Sequence, residues 1–143
     1  RARVVRKGDD GTFLCYGTTV EPALAAAGIL ERERDFSVSV VNARFAKPLD
    51  VRLISSLIAG GQPVVICEDH AIAGGFGSAV LEMAAQRGLN ASHVRLLGMP
   101  DRFIEHGSRI EQLVEVGLDA THFVATMQDL ILNPAGHPAR HFL

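Results

Sequence analysis

An unbroken apolar segment in the middle of the chain constrains the fold more than any other feature. Val64–Cys67 is a run of four apolar residues between Pro63 and Glu68, with no polar residue to face solvent. A strand of this composition is typical of a parallel sheet that helices cover on both sides. Parallel neighbours need long crossover connections, so helices must alternate with strands along the rest of the chain.

Short apolar runs do alternate with helical patterns on both sides of this segment. Further strands are predicted at residues 12–16, 38–42 and 93–97, and Val4–Val5 is expected to be an edge strand antiparallel to residues 12–16. Helices are predicted where apolar residues recur at helical spacing, around Val20–Leu30, Leu53–Ile58, Phe76–Ala84, Ile110–Val114 and Phe123–Ile131. Asp50 and Ser108 are expected to cap two of these helices. The pattern predicts one α/β domain with a mainly parallel sheet between helices.

The composition restricts the size of the protein and its classes of partner. A chain of 143 residues corresponds to one domain, assigned to residues 1–132, with a loosely ordered tail at residues 133–143. Lys and Arg number 14 against 16 Asp and Glu, which leaves no basic excess for binding nucleic acid. No apolar run approaches the ~20 residues that a membrane span requires. Two cysteines, Cys15 and Cys67, fall in predicted buried strands, which favours inert reduced thiols and a cytoplasmic protein.

A glycine-rich turn, Gly74-Gly75-Phe76-Gly77, precedes one of the predicted helices. Its backbone N–H groups could bind an anion at the positive end of the helix dipole, so a free-standing anion- or nucleotide-binding module is one hypothesis. The turn lacks the third glycine of a dinucleotide fingerprint, because Val80 occupies that position. Glu68 and Asp69, just upstream, would repel an anion. Close packing of the helix is therefore the favoured interpretation of these glycines.

Two other groups of polar residues are weaker candidates for chemistry. Glu68-Asp69-His70 is expected where the central strand ends, but adjacent residues of an extended chain alternate between faces and cannot all bind one metal ion. Asp101, His106 and Ser108 are the residue types of a hydrolytic triad, but the Gly-x-Ser-x-Gly elbow is missing and Ser108 is better explained as a helix cap. The residues alone therefore predict no catalytic, cofactor-binding or metal site.

Three segments extend the interpretation to a known family: Ala43–Asp50, Gly74–Glu82 and Leu97–Ser108. They resemble the C-terminal domain of the 1-deoxy-D-xylulose-5-phosphate synthase family, and the likeness runs from Gly8 to about Leu132. The first two segments are also similar to the C-terminal domain of 2-oxo acid dehydrogenase β chains, which is the alternative. The Asp101–Ser108 run favours the synthase.

This resemblance implies a transketolase-type transferase that joins pyruvate and glyceraldehyde 3-phosphate, with loss of carbon dioxide, for isoprenoid and thiamine biosynthesis. It implies a three-layer α/β/α architecture around a five-stranded, mostly parallel mixed sheet with one antiparallel edge strand. In such enzymes thiamine diphosphate and Mg²⁺ bind to other domains. No catalytic, cofactor-binding or metal residue is therefore expected here, and the fragment is expected to be inactive alone.

The role that the resemblance leaves for this domain is assembly with the other domains of the enzyme, which is expected to be a homodimer. The candidate interface residues are Phe45, Lys47, Gly74, Gly75, Phe76, Gly77, Arg102, Phe103, Ile104 and His106. Phe103 and Ile104 are two large apolar residues in a polar-rich loop, so they form either part of the core or an exposed contact patch. The opening Arg1–Arg3, with no methionine or apolar leader, predicts a fragment of a longer protein without a targeting peptide.

Overall fold

The computed structural model describes residues 1–44, 48–71, 75–99 and 118–134. These residues form five strands and four helices in the order β1 (Arg3–Arg6), β2 (Gly11–Tyr16), α1 (Val20–Arg34), β3 (Val38–Asn42), α2 (Val51–Ala59), β4 (Val64–Ala71), α3 (Phe76–Gln86), β5 (Val94–Met99) and α4 (Ala120–Leu132). The helix predicted around Ile110–Val114 and the tail beyond Pro134 lie outside the described residues.

The strands form one mixed sheet in the order β1-β3-β2-β4-β5. β2 pairs in parallel with both β3 and β4, and β4 pairs in parallel with β5. β1 pairs antiparallel with β3 at one edge of the sheet. The expected five-stranded sheet, mostly parallel with one antiparallel edge strand, is confirmed.

The partner of the edge strand β1 differs from the prediction. Pairing of Val4–Val5 with residues 12–16 is wrong, because both edges of β2 are occupied by parallel neighbours. In β1, Val4 lies opposite Val41 and Arg6 lies opposite Val40, so Val5 is an extra residue that forms a β-bulge.

The connection between β1 and β2 explains this arrangement, because it crosses the beginning of β3 and does not turn back as a hairpin. The N–H of Gly8 donates to the Ser39 hydroxyl at 2.8 Å, and that hydroxyl donates to the Gly8 carbonyl at 2.7 Å. The N–H of Asp10 donates to the Ser37 carbonyl at 2.7 Å. A Cβ atom on Gly8 would lie 2.5 Å from the backbone carbon of Ser37, so a larger residue does not fit this crossing.

Helices cover both faces of the sheet, as the apolar segment of β4 predicts. In β2, Phe13 and Cys15 contribute to the core under α1 and α4, whereas Leu14 contributes to the core under α2 and α3. The central segment Val64–Cys67 is no more than 1% exposed. No helix of the described residues is long and apolar enough to cross a membrane.

The strand β4 extends further than the predicted 64–67. It continues to Ala71, with an irregular register towards β5 after Cys67. The polar residues 68–70 therefore lie within a strand and not beyond its end, which corrects their predicted location. The predicted cap of α2 is confirmed, because the Asp50 carboxylate accepts a hydrogen bond from the Leu53 N–H at 3.2 Å.

The crossing at Gly8 yields a first prediction, for the Gly8→Ala substitution. The added methyl group would overlap the backbone at the start of β3, so we expect a loss of roughly 1–3 kcal/mol in the free energy of unfolding, measured by chemical denaturation. Gly28→Ala is the matched control, because Gly28 lies inside α1 and its added Cβ would meet only the end of the flexible Arg32 side chain. That control should gain roughly 0.5–1 kcal/mol. Equal effects of the two substitutions would contradict the close approach.

Candidate functional site

The direction in which successive strands are added to the sheet reverses between β2 and β4, which are parallel neighbours. The chain passes from β2 to β3 on one side, and then crosses to β4 on the other side of β2. In open α/β sheets, ligands bind outside the carboxyl ends of the strands at such a switch point. The candidate site is therefore formed by Gly17–Thr19 after β2, by Glu68 and Asp69 on β4, and by the beginning of α3.

The buried carboxylate of Glu68 occupies the end of this crevice next to α3. Glu68 is 1% exposed, and its carboxylate accepts hydrogen bonds from the N–H groups of Phe76 at 2.7 Å and of Gly77 at 3.0 Å. The N-cap residue of α3 is Gly75, which has no side chain that could accept from these donors. Glu68 thus places its negative charge at the positive end of the helix dipole, where an external anion would otherwise bind.

The glycine at position 77 brings α3 close to the sheet. A Cβ atom there would lie 2.7 Å from Leu96 Cδ2 and 3.1 Å from Glu68 Oε1. Gly77 therefore permits the backbone approach that Glu68 needs for its hydrogen bonds. These contacts support the packing interpretation of the glycine-rich turn.

Asp69 fills the other side of the crevice, because adjacent residues of a strand point to opposite faces. Its carboxylate accepts hydrogen bonds from the Thr18 N–H at 3.0 Å and from the Thr18 hydroxyl at 2.5 Å. Gly17 has a φ angle of +80°, and a Cβ there would overlap the Asp69 carboxylate. The Thr19 hydroxyl donates to the Cys67 carbonyl at 2.8 Å and continues the link between β2 and β4.

The switch point is thus closed by carboxylates of the chain itself. Glu68 binds the start of α3 on one face of the sheet, and Asp69 binds Thr18 on the other face. The two carboxylates therefore do not point towards one shared site. The described residues also contain no group of three or more His, Cys, Asp or Glu side chains that could hold a metal ion. In the part of the chain that the structure describes, both carboxylates connect elements of the fold.

The candidate interface residues fall into two groups. Of the described ones, Phe76 is 2% exposed and stacks on Tyr16 with ring centroids 5.1 Å apart, Gly77 is buried, and Gly75 is half-buried. In this domain Phe76 and Gly77 serve internal packing. The other candidates lie outside the described residues: Phe45, Lys47, Gly74, Arg102, Phe103, Ile104 and His106. The interface therefore stays a prediction. Asp101 and Ser108, which are candidate triad residues and of which Ser108 is also the predicted helix cap, lie outside the described residues as well.

The two cysteines lie side by side on neighbouring strands. Cys15 of β2 is in register with Cys67 of β4, and both are completely buried. Burial raises the pKa of the Cys67 thiol, and the adjacent Cys15 thiol raises it further. Both residues occupy buried strands, as the sequence predicts.

The hydrogen bonds of Glu68 are the part of the site that sequence analysis does not reveal. From the sequence, its proximity to the glycine-rich turn indicates repulsion of an anion, whereas the carboxylate is itself the anion that binds there. The available signal is an acidic residue shortly before a helix whose first residues lack a capping side chain. Such a pair is too common to be specific without knowledge of the fold.

Comparison with known proteins places the whole sheet in one family. A family model described as "Transketolase, C-terminal domain" matches residues 1–123. A 1-deoxy-D-xylulose-5-phosphate synthase of Magnetococcus marinus is 44% identical over 133 residues, covering 92% of this chain and 21% of the relative. A synthase of the same name from a Geobacillus species is 43% identical over 128 residues, covering 90% and 20%. The chain therefore spans about a fifth of the length of these relatives.

Among solved structures, one described as a split gene transketolase, inactive beta4 tetramer, has a TM-score of 0.80 to this chain. The two are 32% identical in sequence, and the match covers 92% of this chain and 42% of that chain. The similarity in three dimensions thus agrees with the similarity in sequence.

A second prediction concerns Glu68→Ala, which leaves two N–H groups at the start of α3 without their carboxylate. We expect a loss of roughly 1–3 kcal/mol in stability, because buried donors without acceptors are costly. Acetate should raise the melting temperature of this variant more than that of the unchanged chain, because a small carboxylate can enter the vacated space. Sodium chloride at equal ionic strength controls for screening.

The matched control for Glu68→Ala is Asp119→Ala, which removes the partly exposed N-cap of α4, where Asp119 accepts from the His122 N–H at 3.2 Å. Water can reach that helix end, so acetate should have no specific effect on its stability. The prediction would be contradicted if acetate or phosphate raised the melting temperature of the unchanged chain and Gly77→Ala abolished that rise. Such a result would mean that the crevice is open to anions.

A third prediction concerns the reactivity of Cys15 and Cys67. Both thiols should react with an aromatic disulfide reagent orders of magnitude more slowly in the native protein than in denaturant, because only the exposed thiolate reacts rapidly. Absorbance of the released thiolate measures both rates on one sample. Rapid reaction of either cysteine without denaturant would mean that the strands β2 and β4 open readily.

Proposed function

The chain belongs to the transketolase C-terminal-domain family, and from that premise we propose that it is the C-terminal domain of a thiamine diphosphate-dependent 1-deoxy-D-xylulose-5-phosphate synthase. The complete enzyme would condense pyruvate with glyceraldehyde 3-phosphate and release carbon dioxide. The names of the relatives support this activity, since they match about nine-tenths of the chain at more than 40% identity. Two buried free cysteines agree with a reducing compartment such as the cytoplasm.

The role of this domain in the enzyme is assembly. The observation that carries this part of the proposal is the closed switch point, where Glu68 and Asp69 use the hydrogen-bonding groups that a ligand would need. Catalysis would then depend on the other domains of a homodimeric enzyme. The similar split gene transketolase is described as a beta4 tetramer, so at least one chain that contains this fold assembles with copies of itself.

The described residues do not fit thiamine diphosphate and Mg²⁺. A diphosphate needs free N–H donors or cations, and the N–H groups of Phe76 and Gly77 are directed at Glu68. Mg²⁺ needs several oxygen ligands around one point, and no such cluster occurs among the described residues. No catalytic step is therefore assigned to this part of the chain, and both cofactors are proposed to bind to other domains.

Neither alternative has comparable support. The relatives given above are named as synthases, which does not favour a 2-oxo acid dehydrogenase β chain. A free-standing anion-binding module is disfavoured by the position of the Glu68 carboxylate.

A fourth prediction tests the proposed function with a chimera in which this chain replaces the homologous C-terminal part of the Magnetococcus marinus synthase. The chimera should form 1-deoxy-D-xylulose 5-phosphate from pyruvate and glyceraldehyde 3-phosphate, because the two domains are 44% identical over 133 residues. The same enzyme truncated before this domain is the control and should be inactive. A folded, dimeric chimera without activity would contradict the assignment.

The chain by itself should form no product and should show no heat of binding with thiamine diphosphate and Mg²⁺ in titration calorimetry. Binding in the micromolar range would contradict the proposed division of roles, since it would require a cofactor site in these residues.

A further inference from the structure

The antiparallel direction of β1 determines where a preceding polypeptide meets this domain. Because β1 runs opposite to β3, Arg3 lies beside Asn42, the last residue of β3. Arg1 and Ala2 therefore lie beside the carboxyl ends of the parallel strands β2, β3, β4 and β5. The switch point with Glu68 and Asp69 lies at the same end of the sheet.

A hydrogen bond to α2 holds the first residues at this edge. The N–H of Ala2 donates to Asp50 Oδ2 at 3.0 Å, while Asp50 Oδ1 accepts from the Leu53 N–H at 3.2 Å. These two donors lower the pKa of Asp50, so the carboxylate is charged at neutral pH. Ala2 is partly buried against the core under α2 and α3. Asp50 thus joins the start of the chain to the first turn of a helix.

An open groove of about 320 Å³ lies next to this junction, and we call it the Asp50 groove. Its apolar surface comes from Ala2, Ala43, Leu49 and Val51, and charged side chains stand along its border. The described residues that line it are Arg1, Ala2, Ala43, Pro48, Leu49, Asp50, Val51 and Arg52. Arg1 and Arg52 are exposed, and with the Asp50 carboxylate they leave the described lining with a net positive charge.

The length of the similar proteins suggests which polypeptide occupies this groove. The family model describes a C-terminal domain, and the chain covers only 21% of the relative from Magnetococcus marinus. In a protein of that kind, the remainder would precede this domain and would join it through the chain before Arg1. A segment that enters beside the groove has a high effective concentration for binding there, because the junction limits its distance from the groove.

We infer that the Asp50 groove receives the polypeptide that precedes Arg1 in the longer protein, and that Asp50 is the positioning residue of this junction. An apolar side chain of that segment would cover Leu49 and Val51, and an acidic side chain would pair with Arg52. The carboxyl edge of the sheet would then face the rest of the enzyme. This inference rests on the proposed function, because it requires that the chain be the C-terminal part of a larger protein.

The fifth prediction compares hydrogen exchange of residues 48–52 in the chimera and in the chain alone, measured by mass spectrometry. Coverage of the groove should slow exchange of this segment about tenfold or more in the chimera. Equal exchange in the two proteins would overturn the inference. Slower exchange in the chain alone at higher protein concentration would also overturn it, because the occupant would then be a second copy.

Two substitutions distinguish the hydrogen bond between Asp50 and Ala2 from the N-cap that Asp50 also provides for α2. Asp50→Ser retains an N-cap oxygen for Leu53 but loses the acceptor for Ala2, so trypsin should cleave the chimera faster at Arg1. Asp119→Ser makes the same change at α4, which has no contact with Ala2 among the contacts described, and should leave this rate unchanged. Equal cleavage rates of the two variants would contradict the role of Asp50.

Arg52→Glu reverses an exposed charge at the groove and should restore rapid exchange of residues 48–52 in the chimera. Arg32→Glu is its control, since Arg32 is an exposed residue of the last turn of α1, at the opposite edge of the sheet. If the two reversals have the same effect, the border charge does not contribute. A chimera that protects the groove but forms no product would refute the proposed activity and leave the docking inference supported.

Discussion

The hydrogen bonds between the buried carboxylate of Glu68 and the first N–H groups of α3 are the interaction on which the centre of this domain depends. Removing a charge from water is costly unless hydrogen bonds and opposite charge compensate for it. Here two backbone donors and the positive end of a helix dipole provide that compensation. The helix position, the choice of glycine at 77 and the contact with Leu96 all follow from this one contact.

The same contact occupies the place at which open α/β folds often bind a ligand. Open α/β sheets expose helix N-termini at the switch point, and function usually arises from groups bound to them. In this chain β4 continues as a strand through residues 68–71, so its two acidic residues turn to opposite faces. Glu68 binds the start of α3, and Asp69 binds the loop after β2. Among the described residues, these carboxylates connect β4 to the loop after β2 and to the start of α3.

Most of the architecture could be predicted because apolar periodicity is a local property. The run Val64–Cys67 is sufficient to indicate a central strand with helices on both sides. The partner of β1 could not be predicted, because a short strand such as Val4–Val5 suits several edges and the choice depends on the distant contact between Gly8 and Ser39. The role of Glu68 was also hidden, because a charge near a turn shows its sign but not the direction of its side chain.

The bulge at Val5 has a consequence for how such a domain behaves when it is exposed. An edge strand with free N–H and carbonyl groups can recruit a strand from another molecule and begin aggregation. Val4 and Val5 are 43% and 42% exposed, which would favour such pairing. The extra residue distorts the pairing surface, arginines flank both valines, and Arg6 forms an ion pair with Glu31 of α1. These features make the edge a poor template for pairing with a strand of another molecule.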